Sequence, residues 1–478
     1  MTEILNNSIT ILITYTLFVL LIGYYFMTTM QWYSYRLNRA IFHHTKPLWN
    51  IFYFLVPFAA YEALSFANLK IYQPVLLIVY AVVLYLWYKK QDKPLVFTGR
   101  VKRFFALLIG FALFTFFVTK TTLVLVPILL AWIVSVIIEK ILFAGFKNQA
   151  IDKLDERENL KIVGVTASYG KTSMKNFIAH ILSKKYNVYA TPRSVNTLGG
   201  VIKDINVDLP DDAEVYVVEM GAREVGDILD ITKVVNPQYA VVGTIGPAHI
   251  EYFKSLERIR NTKMEITKSN RLEHAWVHIS ANVKSSNPKI ELFGHDIKDI
   301  KATLDGVCFS LDDSYYCANI LGDFNAVNLA AAIKVAKELG LSEEQIKEAL
   351  QELQPVEHRL QKIEAGGKLI IDDSFNGNID GMLSSFDLAS TYDGRKVVIT
   401  PGLVEVDDNL NIKVAKRANE VFDLVVVTGD LNYEIFKEYI DSDKLMHLKD
   451  KSEFESFLAQ NTKAGDLILF ANDAPSFV

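Results

Sequence analysis

Apolar residues fall along the chain in two different rhythms. Up to about residue 145 they run almost without interruption, in stretches near 8 to 28, 48 to 67, 71 to 88, 104 to 119 and 122 to 143. Each meets or approaches the roughly 20 apolar residues that a helix needs to cross a hydrocarbon core, so the pattern predicts about five membrane-spanning helices. The fourth is short and the turn at Lys120 is tight, which leaves a re-entrant pair open. Beyond residue 150 short apolar runs of strand length alternate with amphipathic stretches; in one of these Phe177, Ile178, Ile181 and Leu182 share a face. "GVCFSL" and "YYCANIL" read as short strands, and "KLIIDD", "KVVITPG", "DLVVVTGD" and "DLILFAND" alternate with helical segments as in a doubly wound α/β domain. The expected architecture is multi-domain: an α-helical membrane segment over 1–150, a central α/β domain over 151–357 and a C-terminal Rossmann-like α/β domain over 358–478.

Charge gives the first part an orientation. Arg36, Arg39 and Lys46 lie in the first loop, Lys70 alone in the second, Lys89, Lys90, Lys93, Arg100, Lys102 and Arg103 around the third, and Lys120 alone in the last. By the excess of basic residues in cytoplasmic loops, the N-terminus is placed outside and everything after about 145 in the cytoplasm, a multi-pass protein of the inner membrane. Trp32, Tyr33 and Tyr35 suit an interfacial aromatic belt, and His43 with His44 reads as an interfacial pair. Within the spans only Glu62 and Glu139 are acidic, which favours an anchor against membrane lipid over a transport pathway. The net charge of -5 argues against nucleic acid as a partner. Cys308 and Cys317, with no metal-ligand spacing, read as reduced packing residues.

"LKIVGVTASYGKTSMKNFIAHIL" places a strand, a glycine-containing turn and a helix in succession, the context of a phosphate-binding loop. In such a loop Gly164, Thr166, Ala167, Ser168, Gly170 and Ser173 bring backbone N–H groups to the phosphates, Lys171 supplies positive charge, and the Thr172 hydroxyl ligates Mg2+. Nucleotide use, with ATP and Mg2+ as cofactors, is the expectation. The strict phosphate-loop spacing fails by one position, since five residues rather than four separate Gly164 from Gly170.

That spacing resembles the loop of the Mur ligase family, usually G-x-T-G-x-x-G-K-[ST], with Ala167 in place of the middle glycine. "SVNTLGG", "VVEMGAREVGDI", "IGPAHIEYFKSLERIRNTKMEI", "GDFNAVNLAAAI", "HRL" and "IIDDSFNGN" follow in the family's order. The resemblance implies an ATP-dependent ligase that activates a carboxylate as an acyl phosphate and joins it to an amine. Glu219 and His249 would then be metal ligands with Thr172, and Lys263 the lysine that becomes carbamylated beside the metal. Asn196 and Thr197 would hold substrate, as would Asn376 and Asn378; Asn325 and Asn328 would lie near the adenine; Arg359 and Asp373 would close over ATP from the last domain. Within the family, the wording of these motifs is most similar to the branch that adds D-alanyl-D-alanine (D-Ala-D-Ala) to UDP-MurNAc-tripeptide. This implies a place in peptidoglycan synthesis, hence in cell wall biogenesis, cell shape and cell division, and association with other cell-wall enzymes. A Mur-type ligase such as a poly-γ-glutamate synthase is the alternative within the family; a membrane-coupled phosphate-loop ATPase or a scaffold is the alternative outside it. Phe324 replaces the family's usual histidine, "LILFANDAPSFV" lacks a Lys-Gly-Ser motif, and the apolar segment stands where the family ordinarily has a UDP-sugar-binding domain.

Overall fold

The computed structural model describes residues 8–472 except 43, 45, 92, 249, 285, 376, 405 and 450–453. It divides into two compact units, Met1–Gly145 and Phe146–Val478.

In the first unit, helices α1 (Ser8–Trp32), α2 (Val56–Phe66), α3 (Gln73–Tyr88) and α4 (Gly99–Val118) precede α5, which runs from Leu125 to Asp155 and so crosses the unit boundary. Among the described residues four helical segments, Ser8–Trp32, Lys70–Tyr88, Gly99–Val118 and Leu125–Asp155, are long and apolar enough to cross a membrane, against five expected from the sequence. The exception is the second stretch, whose helix widens to a π turn over Ile51–Leu55 just before α2. Pro57 explains the break: it has no N–H to give and its ring crowds the carbonyl four residues back, that of Tyr53. The Tyr53 carbonyl accepts a hydrogen bond from Tyr80 Oη instead, at 2.8 Å. The fourth stretch is longer than its apolar run, because Thr98 caps α4 ahead of Arg100, Lys102 and Arg103. Tyr15, Phe18, Trp87, Phe104 and Leu108 form the core of this unit. At Gly23 a Cβ would stand 2.4 Å from Leu108 Cδ2, so α1 and α4 approach as closely as they do only through a glycine.

Among its described residues the second unit carries three sheets. The first has the order β2-β3-β1-β4-β5-β6, built from β1 (Lys161–Thr166), β2 (Val188–Ala190), β3 (Val215–Glu219), β4 (Tyr239–Val242), β5 (His274–His278) and β6 (Ile290–Phe293). All its pairings are parallel. Side chains of β1 alternate between two cores, Val163 and Val165 facing one and Ile162 the other, which is why the strand reads as a continuous apolar run. Helix α6 (Lys171–Leu182) packs Phe177, Ile178, Ile181 and Leu182 into the first of these cores, the face expected from its periodicity. The chain leaves β1 toward β2 and β3 on one side and returns to β4 on the other, so the carboxyl end of β1 is a topological switch point.

A small antiparallel sheet, β7 (Ile297–Thr303), β8 (Gly306–Leu311) and β9 (Ser314–Ala318), follows. Cys308 and Cys317 are directly opposed across β8 and β9 and joined in a disulfide, so the reading of two reduced packing residues is corrected. Two antiparallel neighbours nine residues apart in one hairpin are brought together by strand register alone.

The last sheet has the order β10-β11-β15-β12-β13-β14, with β10 (Gln361–Ala365) antiparallel to β11 (Lys368–Asp373). The remaining strands, β12 (Lys396–Thr400), β13 (Leu424–Thr428), β14 (Leu445–Leu448) and β15 (Leu467–Ala471), are parallel to their neighbours.

Candidate active site

The phosphate-type loop leaves β1 at the switch point and is tied to both neighbouring strands. Thr166 Oγ1 donates to the Met220 carbonyl at 2.8 Å, Gly243 N donates to the Thr166 carbonyl, and Ser168 Oγ donates to the Gly246 carbonyl at 3.0 Å. Gly170 has φ +75°, and a Cβ there would lie 2.7 Å from Asn328 Oδ1. A glycine is required on both counts. Lys171 then opens α6, with Nζ donating to the carbonyls of Ala167 at 3.0 Å and Ser168 at 3.1 Å. Burial lowers its pKa, Arg359 adding to the effect and Glu219 opposing it. Thr172 follows in the first turn and is half-buried; Ser173 is buried.

One expectation for this loop changes, that for Gly164. Ala167 does not take a positive φ and is fully buried, its methyl group serving as a packing group. Gly164 sits inside β1, where a Cβ would meet Ile266 Cδ1 at 2.9 Å; its place is in strand packing, away from the loop.

Glu219 ends β3 beside the loop and is 1% exposed. Its Oε1 accepts from Asn196 Nδ2 at 2.8 Å, and its Oε2 has no hydrogen-bond partner. The Asn196 carbonyl in turn accepts from Gly221 N at 2.7 Å. Thr197 is the N-cap of the short helix Leu198–Lys203, its hydroxyl accepting from Gly200 N, a structural duty beside the expected substrate role.

Lys263 closes the helix α7 (Leu256–Lys263) and is 4% exposed. Burial lowers its pKa to about 7, helped by the positive charge of Lys171 and opposed by Asp227, Glu219 and Glu265. Glu265 itself accepts from Gly226 N and Leu229 N at 3.0 Å, holding the turn that follows Glu219.

Arg359 enters from the start of the last sheet. Its guanidinium donates to the Phe375 carbonyl, and burial lowers its pKa while Asp373 and Glu219 oppose the shift. The residues on either side are pinned to the end of β11. His358 Nδ1 lies 2.7 Å from Asp372 Oδ2, the His358 carbonyl accepts from Phe375 N at 3.3 Å, and Leu360 N donates to Asp373 Oδ1 at 3.2 Å. His358 and Leu360 both have positive φ, +61° and +50°, a strained backbone that these bonds hold in place.

Asn325 and Asn328 begin helix α8 (Asn325–Glu338) and are buried. Asn325 donates to the Leu321 carbonyl at 2.7 Å and accepts from Asn328 at 2.9 Å, and Asn328 touches Gly170, so the pair braces the phosphate-type loop. Phe324 stands just ahead, with its ring where a Cβ on Gly322 would meet it at 2.8 Å. Asn378 caps the helix Ile379–Ser390 by accepting from Gly381 N at 2.8 Å. His249 and Asn376 lie outside the described residues. Tyr169 reaches across the loop to Gly246; burial raises its pKa to about 12, with the charge of Asp380 adding to the effect.

Some residues of this site have no clear signal in the sequence. Lys175 is 1% exposed and donates to the Thr191 and Arg193 carbonyls, each at 2.6 Å, with Nζ 3.9 Å from Glu219 Oε2. Its one clue is the spacing of four from Lys171, which places the two on one face of α6. Asp204, buried and accepting from Tyr189 Oη at 2.7 Å and Tyr216 Oη at 2.6 Å, is a second charge close to Lys175. The structure thus brings together a helix start, the cations Lys171, Lys175 and Arg359, a lysine poised near neutrality and a carboxylate with an unbonded oxygen. Such a site suits transfer of a phosphoryl group by positioning and charge.

Residues 165–336 match the Mur ligase middle domain. The matched segment is of Mur ligase type. The chain is similar to MurF ligases over about two thirds of its length. It is 26% identical over 332 residues to the UDP-N-acetylmuramoyl-tripeptide–D-alanyl-D-alanine ligase of Bacillus subtilis, covering 65% of this chain and 72% of the relative. The ligase of the same name from Haemophilus influenzae is 29% identical over 330 residues, with 64% and 71% covered. Among solved structures, MurF ligase from Thermotoga maritima in complex with ADP superposes with a TM-score of 0.61 at 28% identity, over 69% of this chain and 80% of that one. MurF from Acinetobacter baumannii shares the fold at 23% identity, with a TM-score of 0.62 over 69% and 77% of the two chains.

Proposed function

We propose that the chain is a membrane-anchored ligase that uses ATP to join D-Ala-D-Ala to UDP-MurNAc-tripeptide in the making of peptidoglycan precursors. The observation that carries this reading is the convergence of Lys171, Glu219, Lys263 and Arg359 at the switch point of a chain similar to MurF ligases over 65% of its length. The likeness to a MurF solved with ADP supports ATP as the phosphoryl donor.

The chain's own groups fit each part of the task. The N–H groups at the start of α6 and the Lys171 ammonium receive the terminal phosphates, and Arg359 neutralises the group in transfer from the opposite sheet. The tripeptide carboxylate attacks the γ-phosphorus and ADP leaves; the amine then attacks the acyl phosphate and phosphate departs. Asn196, beside Glu219, orients the carboxylate end of the substrate.

Magnesium fits the residues present. The buried Glu219 Oε2, which has no hydrogen-bond partner, and the Thr172 hydroxyl offer two hard oxygen ligands. Such an ion takes most of its remaining ligands from phosphates and water. When bound, the ion would offset the charge of the β- and γ-phosphates. The buried Lys263 amine, largely neutral at slightly alkaline pH, can take up carbon dioxide as a carbamate and so present an anion to the same place.

The first 150 residues serve as the anchor, with the catalytic domains over 151–357 and 358–478 in the cytoplasm beside the inner membrane. The long apolar helices and the basic loops between them support this placement.

The decisive experiment incubates purified protein with ATP, Mg2+, UDP-MurNAc-tripeptide and D-Ala-D-Ala and weighs the products by mass spectrometry. The expected product is the tripeptide extended by the dipeptide. Release of phosphate with no such adduct would reject the substrates and leave the ligase chemistry standing.

A further inference from the structure

Helix α6 carries two lysines on one face, and they do different work. Lys171 stands at the loop where phosphates dock. Lys175, one turn on, is buried to 1% exposure beneath it and cannot meet a nucleotide. Two of its N–H groups are used on the Thr191 and Arg193 carbonyls at 2.6 Å, and its charge lies 3.9 Å from Glu219 Oε2, beyond hydrogen-bond reach.

These contacts span the segment that sets the carboxylate. Thr191 N donates to the Val217 carbonyl of β3, and Thr191 Oγ1 accepts from the backbone N of Glu219 at 3.1 Å. Arg193 has φ +48°, an unfavourable backbone held by the bond to its carbonyl. Three residues further on, Asn196 grips Glu219 Oε1. One ammonium therefore ties down the start of the turn that delivers Asn196 and faces the other carboxylate oxygen.

We infer that Lys175 is a positioning residue, which fixes the 191–196 turn and the Glu219 carboxylate so that one carboxylate oxygen stays open to a divalent cation. The inference rests on the reading of Glu219 as a cation ligand. Its consequence has a sign. A bystander charge next to a cation ligand repels the cation, so removing it should tighten binding. A positioning charge does the opposite: without it the carboxylate is released and binding weakens.

The test is Mn2+ binding to the full-length protein with ADP, followed by electron paramagnetic resonance, for Lys175→Met, Lys175→Gln and Glu219→Gln. Positioning predicts that Lys175→Met weakens Mn2+ binding by about tenfold or more, the scale seen for partners of metal ligands. Lys175→Gln, which keeps a donor for the carbonyls, should fold if the Met variant does not, and should weaken binding in the same direction. Tighter or unchanged Mn2+ binding in whichever of these variants folds would overturn the inference. Unchanged binding in Glu219→Gln would instead remove the reading of Glu219 on which it stands.

Discussion

The side chain of Asn328 fills the space in front of Gly170, leaving 2.7 Å between its Oδ1 and any Cβ that Gly170 could carry. The left-handed φ of +75° adds a second obstacle to a side chain. Gly170→Ala should therefore weaken ATP binding by an amount on the order of 1–3 kcal/mol of backbone strain, before any clash is counted. Calorimetric titration of the nucleotide checks it; wild-type affinity would show that the loop relaxes freely.

Ala167 leads to the opposite expectation. It is fully buried without a positive φ, so Ala167→Gly should bring no gain in ATP affinity and should cost about 1 kcal/mol of stability through a lost methyl group. Denaturant titration alongside nucleotide binding separates the two effects. A clear rise in affinity would mean that the methyl group does hinder the phosphates.

Lys171→Ala removes the cation that would face the phosphates on the proposed function. Product formation should fall by at least about a thousandfold, as for loss of a preorganised charge at a reacting phosphoryl group. Phosphate release and product mass report it together; surviving turnover would contradict the role of the loop.

Arg359 should show its effect in kcat. Arg359→Ala is expected to lower kcat by about a thousandfold while the affinity for ATP changes little, and Arg359→Lys should restore little, since a point charge does not reproduce a planar fork. Steady-state kinetics with a separate ATP titration make the distinction. An effect confined to ATP affinity would make Arg359 a binding group only.

Lys263 gives a pH dependence. With its folded pKa at about 7 against an ordinary 10.5, the folded chain binds fewer protons than the unfolded chain between those values. Its contribution to stability therefore rises with pH across that window, and the neutral amine that carbon dioxide requires is available above pH 7. Rising kcat/KM through an apparent pKa near 7, with a parallel gain in thermal midpoint, is the expected profile. Lys263→Gln should flatten both, and an unchanged profile in that variant would assign the titration elsewhere.

What the sequence disclosed depended on how local the cause was. The strand, loop and helix around Lys171 were legible because apolar periodicity and a Gly-Lys-Thr turn lie within one short segment. The π turn before α2 was hidden, since a single proline inside an apolar run does not shorten the run. Lys175 was hidden for another reason: in a polarity pattern a buried, paired lysine looks like one in water, and only the turn folded back from β2 reveals its carbonyl partners. Asn325 and Asn328 were singled out only through the resemblance, and their contact with Gly170 joins positions far apart in the chain and needed the packed fold.

The pairing of β10 with β11 brings His358 and Leu360 against Asp372, Asp373 and Phe375, with Arg359 held between them. The arginine consequently has little freedom to search for a phosphate by swinging its own backbone. On the proposed function, its approach to the nucleotide and its withdrawal would belong to the C-terminal sheet moving as one piece, and the pace of turnover would then be governed by residues remote from every reacting atom.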